Sequence, residues 1–201
     1  DDGKYKNTWK DNKDELEKAT RVFQFYKDLV DQGIIDPNCK NWGWEETDEN
    51  FATGITSTYV SGNWLAERES SNPDTMDDVA VSAIPYPYME CKPLFIMADS
   101  KNKDDAFELA TAFCSKEWQE AGFADRSPRS DVSTDSKWSK DFQALSDTGI
   151  TFPPVTLGGI TQAMQDAMAK VLQEGETPEA TAEWLCDAVN ASLSDSGELS
   201  E

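Results

Sequence analysis

Histidine is absent from all 201 residues. That excludes Ser-His-Asp and Cys-His nucleophilic chemistry and removes the commonest metal-binding side chain. Four cysteines are present, Cys39, Cys91, Cys114 and Cys186, and none falls in a CxxC spacing. Without close thiol pairs or imidazole, structural zinc has no ligand set, so no metal and no cofactor are expected. An even count permits disulfides in an oxidising compartment; as free thiols the four would serve as small core hydrophobes. No apolar run approaches the roughly 18 residues that a membrane span requires. No signal peptide is visible, which leaves a mature or a cytosolic chain. Positive charge is scarce: 18 Lys and Arg stand against 39 Asp and Glu, a net charge of −21. Such a chain repels nucleic-acid phosphates and anionic membranes, and nucleic acid is excluded as a partner. The acid is spread along the chain, as expected of a solvated acidic surface, and is so abundant that no single carboxylate pair is informative.

What is there is a folding composition, with 38% hydrophobic and 10% aromatic residues. After a DDGKY turn, Leu16, Ala19, Phe23, Tyr26 and Val30 recur at helical spacing and predict an amphipathic helix from Lys13 to Gln32. Gly33 and Ile34 are placed for a Schellman ending, and Asp36-Pro37 prevents continuation. Asn38–Asn50 reads as a loop with Trp42 and Trp44 on one side of an extended segment, followed by an acidic patch. A second amphipathic helix is expected over Lys103–Ala121, a short one over Asp135–Leu145, and another over Ile160–Gln173. Thr177-Pro178-Glu179 is a helix start, with Thr as N-cap and Pro at N1. The last helix runs to about Leu193, and the tail Ser194–Glu201 should fray. Arg126 and Arg129, two of the four arginines, are expected to form internal ion pairs.

Three segments read as strands: Ile55–Val60, Val79–Ile84 (VAVSAI, expected to be buried) and Leu94–Met97. The first lies in FATGITSTYVSGNW, Phe51–Trp64. There Ser61-Gly62-Asn63 breaks the strand and delivers Trp64 at its tip. A large flat ring in that position either caps a core or offers a stacking face to a ligand.

The same segment resembles the F-x-x-G-x-x-x-x-x-x-G-x-W element of extracellular solute-binding proteins that serve sugar ABC importers, the maltose-binding protein class. Further parts follow in that family's order. They are a DGKY-like turn before the long helix, Gly33 and Pro37 after it, VAVSAIP, the SKNK helix start at Ser100–Lys103 with Ala106 and Phe113, Pro128-Arg129, and Gly175 with Pro178-Glu179 before the last helix. The resemblance implies an α/β fold of the periplasmic-binding-protein type II kind, helices around a small mixed sheet, and it covers the carboxy-terminal half of that family. It divides the chain into residues 1–90, like the carboxy-terminal lobe; 91–149, a segment that in the family returns to the amino-terminal lobe; and 150–201, the final helices. A missing amino-terminal lobe is then an expected partner, beside the membrane subunits of the importer. The implied place is extracellular or periplasmic, with a lipid anchor at the cell surface before truncation.

By the same resemblance the ligand is a carbohydrate, held by stacking on Trp64 with Asn63, Glu67, Trp44 and Phe152 at the rim and no catalytic residue. Two other readings stand beside it. One is an acidic glycoside hydrolase fragment pairing Glu45 or Glu46 with Glu67. The other is a truncated scaffold that holds no ligand.

Overall fold

The structure, a computed structural model, describes residues 3–90, 92–135 and 137–201. Eight α-helices run in chain order: α1 Lys13–Asp31, α2 Trp44–Ala52, α3 Pro73–Asp77, α4 Lys103–Phe113, α5 Lys116–Gly122, α6 Ser139–Leu145, α7 Leu157–Ala169 and α8 Pro178–Asp195. Short 3-10 turns and one π-turn, Lys170–Glu174, link or extend them. The chain divides into two compact units, one made of Asp1–Thr47 with Phe152–Glu201, the other of Asp48–Thr151.

The first unit is a helical body. α8 lies against both α1 and α7. Helix pairs of this kind bury one apolar stripe on each partner, and a helix flanked on two sides buries more of its circumference. Accordingly α8 buries Thr181, Ala182, Leu185, Cys186, Val189 and Leu193, whereas α1 buries Phe23 alone. Leu16 and Ala19 of the expected α1 stripe pack at the core's edge, but Tyr26 is exposed. α1 stops as its sequence requires. Gly33 takes φ +69, its N–H donates to Val30 and that of Ile34 to Leu29 at 2.8 Å, the two bonds of a Schellman ending. Thr177 caps α8 by accepting from the Ala180 N–H at 3.2 Å, with Pro178 in the first turn.

The amino-terminal segment is strapped along α8. Asn7 and Asn190 exchange two hydrogen bonds of 2.8 Å, and the Trp9 indole donates to the Ala182 carbonyl at 2.9 Å. The tail does not fray. Tyr5 bridges to Leu199, and the Glu198 carboxylate accepts from both the N–H and the hydroxyl of Thr156. These bonds hold Glu198 below the usual carboxylate range, the Ser196 hydroxyl contributing most.

The second unit has a smaller core, Phe51, Leu65, Met76 and Trp138, with Tyr59, Val79, Val81 and Phe142 at its edge. Its helices are short. The expected helix over Lys103–Ala121 is two, because the Ser115 hydroxyl accepts from the Trp118 N–H and starts a new one.

The small mixed sheet is not there. Among the described residues the chain is 59% helical, 2% strand and without a sheet. The only β pairings are isolated bridges, Tyr5 with Leu199 and Tyr88 with Ile150. All three expected strands are extended loops, and VAVSAI is not buried: Ile84 is exposed and Val79 and Val81 only half-covered. The physical reason is that β-propensity describes what a segment prefers, while a strand exists only when a partner accepts its hydrogen bonds. Leu94–Ile96 makes no backbone hydrogen bond with another segment. Cys39, Cys114 and Cys186 are free thiols, and burial pushes the Cys39 thiol up. Cys91 lies outside the described residues.

Candidate functional site

The site is built on one 3-10 helix of the second unit, Asn63–Ser70. Three residues per turn bring positions i and i+3 into line. One ridge carries Leu65 and Arg68 and faces inward. The next carries Trp64 and Glu67 and faces out. Leu65 anchors the turn in the core beside Phe51, Met76 and Trp138. Arg68 anchors it by charge: its Nε donates to Asp48 Oδ2 at 2.7 Å, and Nη1 lies 3.5 Å from Glu49. Asp48 is only 3% exposed. A carboxylate so deeply placed needs its guanidinium, so this pair fixes the turn against the end of α2.

Trp64 is 44% exposed and lies at the margin of the core. It is not at the tip of a strand, as its sequence suggested, but in the first turn of the helix, where Gly62 leads in with extended backbone. The ring folds back over Gly62, and a Cβ at that position would run into the indole. Gly62 is therefore required by close approach and not by its φ of −125. A large aromatic is thus held with one face against backbone, at a surface rather than inside.

Two links tie this turn to Ala124–Arg126. The Asn63 amide donates to the Asp125 carbonyl at 2.6 Å, and Arg126 forms an ion pair with Glu67. Arg126 is also 3.8 Å from the Asp125 carboxylate. Beside the indole there is accordingly a guanidinium clasped by carboxylates, with hydrogen-bonding capacity left on both. The Asn63 side-chain oxygen keeps no protein partner. Arg129 makes the other expected internal pair, two bonds of 2.8 Å to Asp131, which hold that carboxyl below its ordinary value.

Residues 1–147 match the family model of bacterial extracellular solute-binding proteins. The chain belongs to that family. No curated protein matches it. A solute-binding protein supplies a transport system with its small-molecule ligand outside the cell, and the family is normally not enzymatic.

In this solute-binding protein the sequence-predicted site residues divide. Trp64, Asn63 and Glu67 share one helical turn in the second unit, while Trp44 and Phe152 belong to the first. Trp44 opens α2 rather than lying in a loop; it is exposed, and so is Phe152. Glu45 and Glu46 sit in the first turn of α2, where carboxylates favour the positive end of a helix. That gives them a structural role, and Glu67 is occupied by Arg126. Asp48 and Arg68 escaped sequence reading altogether. The only available signal was an Asp in an apolar-flanked turn, DENFA, in a chain crowded with surface acid. Among the described residues no group of three or more Cys, Asp and Glu is arranged to hold a metal.

Proposed function

We propose that this solute-binding protein takes a carbohydrate as its ligand, held without covalent chemistry and passed to the membrane subunits of an ABC importer. The observation that supports it best is the half-exposed indole of Trp64, steadied by Gly62 and flanked by the Glu67–Arg126 pair. A pyranose has an apolar C–H face and a rim of hydroxyls. The ring offers the first a flat surface, and the ion pair with Asn63 offers the second donors and acceptors in fixed positions. Trp44 and Phe152 are further exposed aromatics in the same protein, available as additional stacking surfaces.

Calorimetric titration with a panel of mono- and oligosaccharides tests the reading. Saturable binding by at least one sugar, weakened about tenfold or more in Trp64→Ala, supports it; that loss corresponds to roughly 1.4 kcal/mol. A folded protein that binds no sugar, or one whose affinity Trp64→Ala leaves unchanged, overturns it.

A further inference from the structure

α1 has a second apolar stripe that the core does not use. Lys18, Arg21, Val22 and Phe25 follow at helical spacing, with Tyr26 alongside, and together they line an open groove on the protein surface. Val22 is 54% and Phe25 57% exposed. The Phe25 and Tyr26 rings meet edge to face at 5.5 Å, so the patch is ordered within itself. Lys18 and Arg21 have no ion pair, although acid outnumbers base more than two to one in this chain. One turn beyond Phe25 the same stripe ends on Asp28, whose carboxylate accepts only from Gln24. Apolar side chains grouped on a rigid helix, bracketed by an unpaired cation at one end and an acid at the other, are the composition of an interface rather than of a solvated face.

The order of charges selects the occupant. We propose that this face pairs with α1 of a second copy of the chain, antiparallel, about a two-fold axis at the level of residue 23. Lys18 and Asp28 stand five residues on either side of that level, about 7.5 Å along the axis at 1.5 Å per residue. The two-fold therefore brings Lys18 of each copy to Asp28 of the other, twice. It also lays each Arg21 on the opposite Phe25, a cation over a ring, with Val22 between them. A parallel pairing would set Lys18 on Lys18 and is disfavoured. At about 0.15 M salt the long-range repulsion between two acidic molecules is screened beyond roughly 8 Å, while contact pairs persist. One helix face is a small interface, so the dimer is weak and concentration-dependent.

Sedimentation equilibrium of the whole chain, up to about 1 mM protein in about 0.15 M salt, tests the arrangement. A monomer–dimer equilibrium is expected, weakened about tenfold or more by Phe25→Asp. Lys18→Glu and Asp28→Lys should each dimerise less than the parent, because each places like charges at both contacts. An equimolar mixture of the two variants restores attraction at both contacts, and should dimerise at least as well as the parent. Far-ultraviolet circular dichroism checks that each variant retains its helix. A monomer at every concentration overturns the proposal, as does a dimer that the α1 variants leave unchanged. So does a dimer lost on Phe95→Asp, which would place the contact on the extended segment of the other unit. Failure of the mixture to recover overturns the antiparallel pairing.

Discussion

The two units answer the same sequence pressures differently. The first satisfies its backbone inside helices, ties down both chain ends and buries eight residues in one cluster. The second buries four, and runs long stretches of β-prone sequence past solvent without pairing them. Phe95 is 84% and Val60 81% exposed, in segments that prefer to be strands. The difference teaches that local helical signals are self-sufficient, because a helix makes its hydrogen bonds within its own segment. A strand signal is a request for a partner. It also separates two jobs: the better-packed unit is a scaffold, and the less saturated one carries the candidate site on a single 3-10 turn.

Core truncation should break the comparison most sharply. Leu193→Ala in the first unit and Met76→Ala in the second each remove a side chain at most 2% exposed, and each is expected to cost about 2–5 kcal/mol. Hydrogen exchange distinguishes where the cost falls. Met76→Ala should strip protection from α3 and α6 while α8 stays slow, and Leu193→Ala should do the reverse. Equal loss everywhere in both variants would mean one cooperative body instead of two.

Next in size is the buried pair beneath the site. Arg68→Ala leaves the Asp48 carboxylate without its guanidinium and should cost about 3 kcal/mol. Chemical denaturation should find much of that recovered when Asp48→Asn is added, since the orphaned charge is then gone.

Helix caps give a smaller contrast. Thr177→Ala removes a side-chain cap from α8 and should lower stability by about 1 kcal/mol. Asn102 precedes α4 in the second unit without a side-chain cap bond, so Asn102→Ala should shift the melting temperature far less.

The smallest effect is a pH dependence confined to the first unit. Glu198 has its carboxyl lowered by the Ser196 and Thr156 donors. Its contribution is complete above the ordinary carboxylate range and is lost as pH falls through the depressed folded value. Melting curves of the parent and Glu198→Gln should converge in acid, below about pH 4, and the parent should be the more stable near neutrality.

These contrasts also explain what was legible from sequence. The ending of α1 at Gly33 and the start of α8 at Thr177-Pro178 were readable because caps are local chemistry. So were the internal pairs of Arg126 and Arg129. The three strands were not, because their hydrophobic spacing says nothing about whether a neighbour exists. The division of the helix at Ser115 was missed because a serine inside a helical pattern looks neutral until its hydroxyl is seen to cap. The docked tail depends on Glu198 reaching Thr156, 42 residues away in sequence. At the site, Trp64 was found from its place after Gly62. Its support on the Asp48–Arg68 pair rests on a contact 20 residues apart that no periodicity announces.

Gly62→Ala sharpens the site itself. Its backbone suits alanine, yet the added Cβ displaces the indole. Sugar affinity should fall while the thermal melt barely moves.

The most direct measurement is the nitrogen–proton spectrum of the seven tryptophan indoles during titration with a bound sugar. The Trp64 resonance is assigned by its disappearance in Trp64→Phe. It should shift furthest and in a saturable way, while that of the buried Trp138 stays in place. A spectrum in which the Trp64 resonance is unmoved by a sugar that demonstrably binds would contradict the account.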